Sequence, residues 1–95
     1  MELAKVVGTV VATRKNSEMG HFKLLLTENT EPDGTTNGKY FVCVDIVDAG
    51  IGDLVIIVRG SSARTTTDIG SRPIDGSIVA IVDTINMNGK TVYQK

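Results

Sequence analysis

Residues 39–59 decide the fold, and they read KYFVCVDIVDAGIGDLVIIVR. Apolar side chains alternate over residues 39–46, and residues 54–59 form a continuous apolar run. Between them, DAGIGD at 48–53 spaces two glycines through a short segment, which is typical of a turn. Because β-branched and aromatic side chains favour strands, this stretch predicts two strands joined by a tight connection.

The rest of the chain has the same character. Val, Ile and Thr supply 32 of the 95 residues, which indicates an all-β protein, and the length allows a single domain over residues 1–95. A barrel is favoured because closure removes exposed sheet edges. We therefore expect a small five-stranded OB-like closed barrel, with a short helical turn near residues 61–64 and a short C-terminal strand. The predicted strands cover 2–13, 21–28, 39–46, 54–59 and 74–85, with the tail at 90–95 and the clearest loop at 29–38.

Composition excludes several classes of protein. One cysteine cannot form an internal disulfide, and one cysteine with one histidine cannot build a zinc site. No apolar run approaches 18 residues, and a net charge of −1 gives no general attraction for nucleic acid or an anionic membrane. The first residues lead into a strand pattern rather than a signal peptide. We therefore expect a cytoplasmic protein that needs no cofactor.

Several predicted strands are apolar on both faces. In residues 54–59, Leu54, Ile56 and Val58 alternate with Val55 and Ile57. Only one face of a strand can point into a barrel, so the other needs cover. We expect neighbouring copies to supply it, as wedges joined head to tail in a closed ring. The alternative is that terminal segments and loops of the same chain fold over these positions.

Three positions expected on the face that needs cover are Val7, Ile57 and Ile81. If the chain itself wrapped all three of them, the prediction of a ring would lose its physical basis.

Candidate catalytic residues are few. His21 is interpreted as an exposed residue at the start of a strand, and Cys43 as a small packing residue. Asp45 and Asp83 each interrupt an apolar strand, and paired carboxylates can carry out acid–base chemistry. The preferred interpretation is that each carboxylate accepts hydrogen bonds from backbone N–H groups or an arginine, including across a subunit boundary. An enzyme would require the two carboxylates to converge in an open pocket.

Residues 60–64 form a compact polar segment after an apolar strand. Gly60, Ser61, Ser62 and Ala63 are small enough for close backbone approach, and Arg64 can serve as a fork donor to a neighbouring carboxylate. An OB-type barrel also suggests a binding module for single-stranded nucleic acid or a peptide. That alternative requires stacking aromatic side chains on a basic groove, and the chain has only two Phe and two Tyr.

Four segments together resemble the EutN/CcmL family, the pentameric vertex proteins of bacterial microcompartment shells. The similarity covers about residues 2–85. Asp45, Gly50, Gly52, Pro73, Asp75 and Asp83 match positions typical of the family pattern, whereas Asp48 and Gly76 depart from it. The segments are MELAKVVGTVVATRK (1–15), KLLL (23–26), VDIVDAGIGDLVIIVRGSSAR (44–64) and RPIDGSIVAIVDTI (72–85).

The resemblance implies a non-enzymatic shell protein. It implies an OB-like barrel with a short helical element, assembled as a homopentamer that caps the vertices of a polyhedral shell and contacts hexameric shell proteins in the bacterial cytoplasm. It also places the loop of Gly60, Ser61, Ser62, Ala63 and Arg64 in the region of subunit contact. No nucleic acid, membrane, metal or cofactor is expected as a partner.

Overall fold

The structure is a computed structural model that describes residues 1–11, 23–59 and 76–95. Seven strands and no helix are found within these ranges. The predicted helical turn near 61–64 lies outside them. The strands are β1 (Glu2–Thr9), β2 (Lys23–Thr30), β3 (Thr36–Asp45), β4 (Leu54–Arg59), β5 (Gly76–Ile81), β6 (Thr84–Met87) and β7 (Lys90–Gln94).

Five of these strands close into a barrel in the order β1-β2-β3-β5-β4. Pairing is antiparallel except between β3 and β5, which run parallel and share the register pairs Val44–Ser77 and Asp45–Ile78. Closure occurs where β4 pairs with β1 through residues such as Leu3 and Ile56. The predicted all-β class and five-stranded closed barrel are confirmed.

Three predicted boundaries are wrong. The strand expected over 2–13 ends at Thr9. The strand expected over 74–85 is two strands, because β5 ends at Ile81 and β6 begins at Thr84. The last contact of this segment with β4 is the hydrogen bond from the Val82 amide to the Leu54 carbonyl, 2.8 Å long. The loop expected over 29–38 is also shorter, because the β2–β3 ladder continues to the Thr30–Thr36 pair.

The C-terminal strand is confirmed, as part of a hairpin outside the barrel. β6 and β7 form a separate two-stranded sheet. Asn88 and Gly89 both have positive φ, 54° and 78°, as the predicted two-residue turn requires. The Lys95 amide donates to the Asp83 carbonyl at 2.8 Å, which continues the hairpin ladder by one pair. The Tyr93 ring lies beside Gly34 in the β2–β3 turn, and the Lys95 Nζ lies 3.7 Å from the Asp53 carboxylate, so the hairpin contacts the rest of the chain at two places.

The barrel interior is filled by side chains from all five strands. The largest that are completely buried are Ile57 of β4 and Ile78 of β5. Thr27 and Cys43 are buried among them; the Thr27 hydroxyl donates to the Phe41 carbonyl at 3.0 Å, which satisfies a polar group away from water. The core members are Ala4, Val6, Leu25, Cys43, Ala49, Val55, Ile57 and Ile78.

Strand β4 corrects one expectation about exposed apolar faces. Ile57 lies in the core at 0% exposure, so it needs no neighbouring copy. Leu54 and Val58, on the opposite face of β4, are only 2% and 4% exposed within the single chain. At these three positions the alternative holds, since the chain covers them itself. Val7 and Ile81 are half-buried, as is Ile56 between Leu54 and Val58, so part of these apolar side chains stays in contact with solvent.

Gly76 begins β5 at a point too crowded for a side chain. A Cβ atom there would lie 3.0 Å from the Cys43 Sγ and 3.6 Å from the Arg59 Cγ. Gly76 is buried and pairs with Arg59 in the β4–β5 ladder. The missing side chain therefore lets β5 enter the barrel directly against Cys43.

We expect Gly76→Ala to destabilise the fold by about 1–2 kcal/mol, because the added methyl group overpacks the site. Urea unfolding at one fixed protein concentration measures this change. Gly50→Ala is the matched control, since a Cβ at Gly50 has its nearest neighbour at 3.7 Å and should have little effect. In a double-mutant cycle, Cys43→Ala should offset part of the cost of Gly76→Ala. Strictly additive effects would contradict the predicted clash.

Candidate functional site

The residues singled out from the sequence fall into two groups. Asp45 and Asp83 lie in the described part of the chain. Gly60, Ser61, Ser62, Ala63 and Arg64 lie outside the described residues, as do His21, Pro73 and Asp75. The assignment of residues 60–64 to the subunit contact therefore stays a prediction.

Asp45 ends β3 with a side chain that is fully buried. Its carboxylate accepts hydrogen bonds from the Val47 amide at 3.1 Å and the Ala49 amide at 2.9 Å. The Lys23 Nζ lies 3.2 Å from the same carboxylate. Backbone N–H groups thus hold the carboxylate as expected, but the cation is a lysine of the same chain rather than an arginine. Asp45 acts by fixing the turn that follows β3.

That turn is tied to the barrel by further hydrogen bonds. The Gly50 amide donates to the Asp53 carboxylate at 2.8 Å, and the Gly52 amide donates to the Val6 carbonyl at 2.8 Å. Asp48 and Gly52 have positive φ, 59° and 94°, which glycine adopts without strain and Asp tolerates better than most residues. The turn consequently presents Ile46 and Ile51 to solvent from a fixed backbone.

Lys23 holds two carboxylates at this end of the barrel. Its Nζ lies 3.2 Å from Asp45 and 3.3 Å from Asp48. The hydrogen bond to Asp45, followed by that to Asp48, raises the pKa of Lys23 above its ordinary value. Lysine is therefore charged throughout the neutral range, and the pair with Asp48 is a surface contact of small energetic weight.

Asp83 lies in a different setting. It is exposed in the connection between β5 and β6, and its backbone carbonyl accepts the Lys95 amide. Asp45 pairs with Ile78 in the β3–β5 ladder, so Asp83 lies five residues further along, on the order of 15 Å away for an extended chain. The two carboxylates do not converge, and the two-carboxylate enzyme hypothesis is wrong.

Cys43, the one cysteine of the chain, lies in the barrel core. It is buried beside the Thr27 hydroxyl at 3.6 Å, as expected of a packing residue. Residues 1–11, 23–59 and 76–95 contain no group of three side chains suited to holding a metal ion. Within the same ranges no helix has the length and apolarity to span a bilayer.

Sequence reasoning missed a cluster at the opposite end of the barrel. The Arg59 guanidinium lies over the Phe41 ring, 4.1 Å from its centroid, and its Nε donates to the Glu2 carboxylate. The Asn29 amide donates to the other Glu2 oxygen at 3.0 Å. A single sequence gives no signal for this cluster, because its members come from four different strands.

The Glu2 carboxylate is the ionised centre of that cluster. The hydrogen bond from Asn29 and the contact with Arg59 lower the pKa of Glu2, although partial burial opposes the shift. A lowered folded-state pKa means that the cluster contributes stability at neutral pH and loses it as the pH falls through that pKa. The arrangement fastens the first residues of β1 to β2 and β4, where the barrel closes.

We expect Asp45→Asn to destabilise the protein by about 2 kcal/mol, because one charged acceptor serves two buried amides and a lysine. Asp48→Asn is the matched control. Its side chain is exposed and shares Lys23, and asparagine tolerates positive φ, so a change below about 0.5 kcal/mol is expected. Urea unfolding at pH 7 compares the two variants. Equal losses would contradict the assigned role of Asp45.

Comparison with known proteins agrees with this picture of a structural domain. A protein from a Synechocystis species, named carboxysome shell vertex protein CcmL, is 41% identical over 95 residues, covering 100% of this chain and 95% of its own. The solved structure of CcmL from Nostoc sp. PCC 7120 is 42% identical, with a TM-score of 0.93 and full coverage of both chains. These similarities extend over the barrel and the hairpin alike.

A third relative is named with its assembly state. The GrpN pentameric microcompartment shell protein from Rhodospirillum rubrum is 41% identical in its solved structure, with a TM-score of 0.82 and coverage of 92% of this chain and 99% of that one. The family described as ethanolamine utilisation protein EutN/carboxysome matches residues 1–83. The chain therefore belongs to the EutN/CcmL family.

Proposed function

We propose that this protein is a structural shell protein of a bacterial microcompartment, forming a homopentamer that caps the vertices of the polyhedral shell. The observation that carries this proposal is the similarity over nearly the whole chain to a solved pentameric shell protein, in both fold and sequence. Its setting is the shell of a compartment within the bacterial cytoplasm, where relatives named as vertex proteins also belong.

The function follows from shape rather than from chemistry. A layer built from hexagonal units alone is flat, whereas a five-fold unit at a corner lets the layer curve and close. Hexameric shell proteins are the partners that this geometry requires around each pentamer. A protein in this role needs a rigid protomer and defined lateral contacts, and it needs no catalytic centre or cofactor.

Rigidity is supported by the contacts at both ends of the barrel. Asp45 fixes the β3–β4 turn with two backbone amides, and Glu2 joins Asn29 to Arg59 where the barrel closes. We assign the subunit boundary to the loop of Gly60, Ser61, Ser62, Ala63 and Arg64, with Asp83 as an exposed carboxylate available to a neighbour. Asp45 contributes from within its own protomer, by holding the turn in place.

The OB-type binding module has less support. Among the described residues, Tyr40 is the one exposed large aromatic side chain. Phe41 is covered by the Arg59 guanidinium, and Tyr93 is half-buried beside Gly34. Single-stranded nucleic acid requires several stacking rings along a basic groove, and this arrangement does not provide them.

The mass of the purified protein tests the proposed assembly. We expect light scattering at micromolar concentration to give about 50 kDa, five times the protomer mass of 10.1 kDa. Negative-stain images of the same sample should show five-fold rings. A stable species of one protomer would overturn the proposed function. Tight, salt-dependent binding of a single-stranded oligonucleotide would favour the binding module instead.

We expect Arg64→Ala to weaken the ring while the protomer stays folded, because the guanidinium can pair with a carboxylate of the neighbouring subunit. Lys90→Ala is the matched control, since Lys90 is exposed at the turn of the β6–β7 hairpin. Light scattering over a dilution series measures assembly, and circular dichroism monitors folding. An Arg64→Ala ring as resistant to dilution as the wild type would reject the role of Arg64.

A further inference from the structure

We propose that two apolar faces on opposite flanks of the barrel dock against each other between neighbouring copies and so build the ring. This inference rests on the proposed homopentamer and adds which surfaces meet. The first face lies on β2 and β3 and comprises Leu24, Leu26, Tyr40, Val42 and Ile46. The second face lies across β1, β4 and β5 and comprises Leu3, Ile56 and Ala80.

The first face follows from the alternation of β3. Phe41 and Cys43 point towards the barrel interior, so Tyr40, Val42 and Ile46 point outward, and they are 58%, 45% and 42% exposed. The outward positions 40, 42 and 44 of this strand, and Ile46 directly after its end, carry no charge; Val44 is fully buried and the other three are exposed. A row of this kind on a solvent-facing strand departs from the usual polar exterior of a small barrel.

Strand β2 widens this row. Leu26 is the cross-strand partner of Val42, and Leu24 is the partner of Val44. Leu25 and Thr27 are buried in the interior, so Leu24 and Leu26 face outward, where both are half-buried. The first face is thus apolar across two strands. Exposed apolar side chains that group on one surface, rather than lying singly, mark a candidate interaction site.

The second face follows from the registers of β4. Ile56 pairs with Leu3 of β1 on one side and with Ala80 of β5 on the other. Val55 and Ile57 point into the core, so Ile56 and its two partners face outward, and all three are half-buried. This row crosses three strands without a charged side chain. It is apolar and shallow, and the larger side chains of the first face project from β3.

The two faces lie on different flanks of the barrel. Strand β4, at the centre of the second face, pairs with β1 and β5 and with neither β2 nor β3, which carry the first face. A two-fold dimer would use one self-complementary patch on both copies, whereas two different faces favour a heterologous contact, which can close into a ring. Each copy in such a ring offers its first face to one neighbour and its second face to the other.

The assembly of a relative also favours a second copy as the occupant, since the solved GrpN structure, 41% identical to this chain, is a pentameric shell protein. Uncharged faces would not attract the phosphates of nucleic acid. A ring member has two neighbours, and the barrel offers two apolar faces on opposite flanks, one for each neighbour. The inferred occupant of each face is therefore another copy of this chain.

Val42→Glu tests the first face. The carboxylate would be placed at the centre of the contact, so the mass of the variant should fall to that of one protomer at a concentration where the wild type is a pentamer. Met87→Glu is the matched control, because Met87 is 46% exposed against 45% for Val42 and lies on the hairpin. Tyr40→Glu is the second variant if Val42→Glu does not fold by circular dichroism.

Mixing tests the heterologous pairing. Leu3→Glu should interrupt the second face and, on its own, also give single protomers. A protomer with Val42→Glu keeps an intact second face, and one with Leu3→Glu keeps an intact first face. Their mixture should therefore form a two-protomer species that grows no further, as native mass spectrometry would show.

The outcomes separate this inference from the proposed function. A wild type of single-protomer mass would overturn both. A pentameric wild type together with pentameric Val42→Glu and Tyr40→Glu would overturn only the inferred faces, and loss of assembly with hexameric shell proteins in those variants would then assign the first face to that partner. If Val42→Glu and Leu3→Glu are each single protomers but their mixture gives no two-protomer species, the pairing of the two faces is overturned.

Discussion

The short parallel pairing of β3 with β5 is the contact on which the closed barrel depends. Two register pairs, Val44–Ser77 and Asp45–Ile78, join these strands, whereas the antiparallel ladders on either side are longer. Gly76 lets β5 approach Cys43 at the start of this pairing. At its other end, the buried Asp45 carboxylate fixes the turn that carries the chain on towards β4. The short β3–β5 pairing is thus supported by Gly76 at one end and by Asp45 at the other.

The same arrangement determines which surfaces remain for a partner. Strand β4 lies between β1 and β5, and the chain covers most of both its faces. Strand β3 has a long antiparallel neighbour in β2 and only the short pairing with β5. Of its outward side chains, Tyr40 and Val42 stay exposed, whereas Val44 is buried. The alternating pattern predicts apolar outer faces on several strands. In the structure, the apolar side chains that a partner would have to cover lie mainly on the β2–β3 flank and in the half-buried row around Ile56.

A shell vertex requires a rigid protomer, so that its contacts with neighbouring subunits keep a fixed geometry. Glu2, Asn29, Phe41 and Arg59 join four strands at one end of the barrel, and the Asp45 turn is tied down at the other. Their value to the proposed pentamer is that lateral contacts rest on fixed backbone.

The sequence by itself determined the all-β class, the number of barrel strands and the positions of the main turns, because β-branched alternation and glycine spacing are local properties. The four motif segments also indicated the family, because the order and spacing of their residues are properties of the sequence itself. Only the tertiary structure decided which face of each strand is inside, where β5 ends, and that Asp45 is held by Lys23 and two amides rather than by an arginine. These features depend on strand registers and on contacts between distant segments, which a periodic pattern along one strand does not contain.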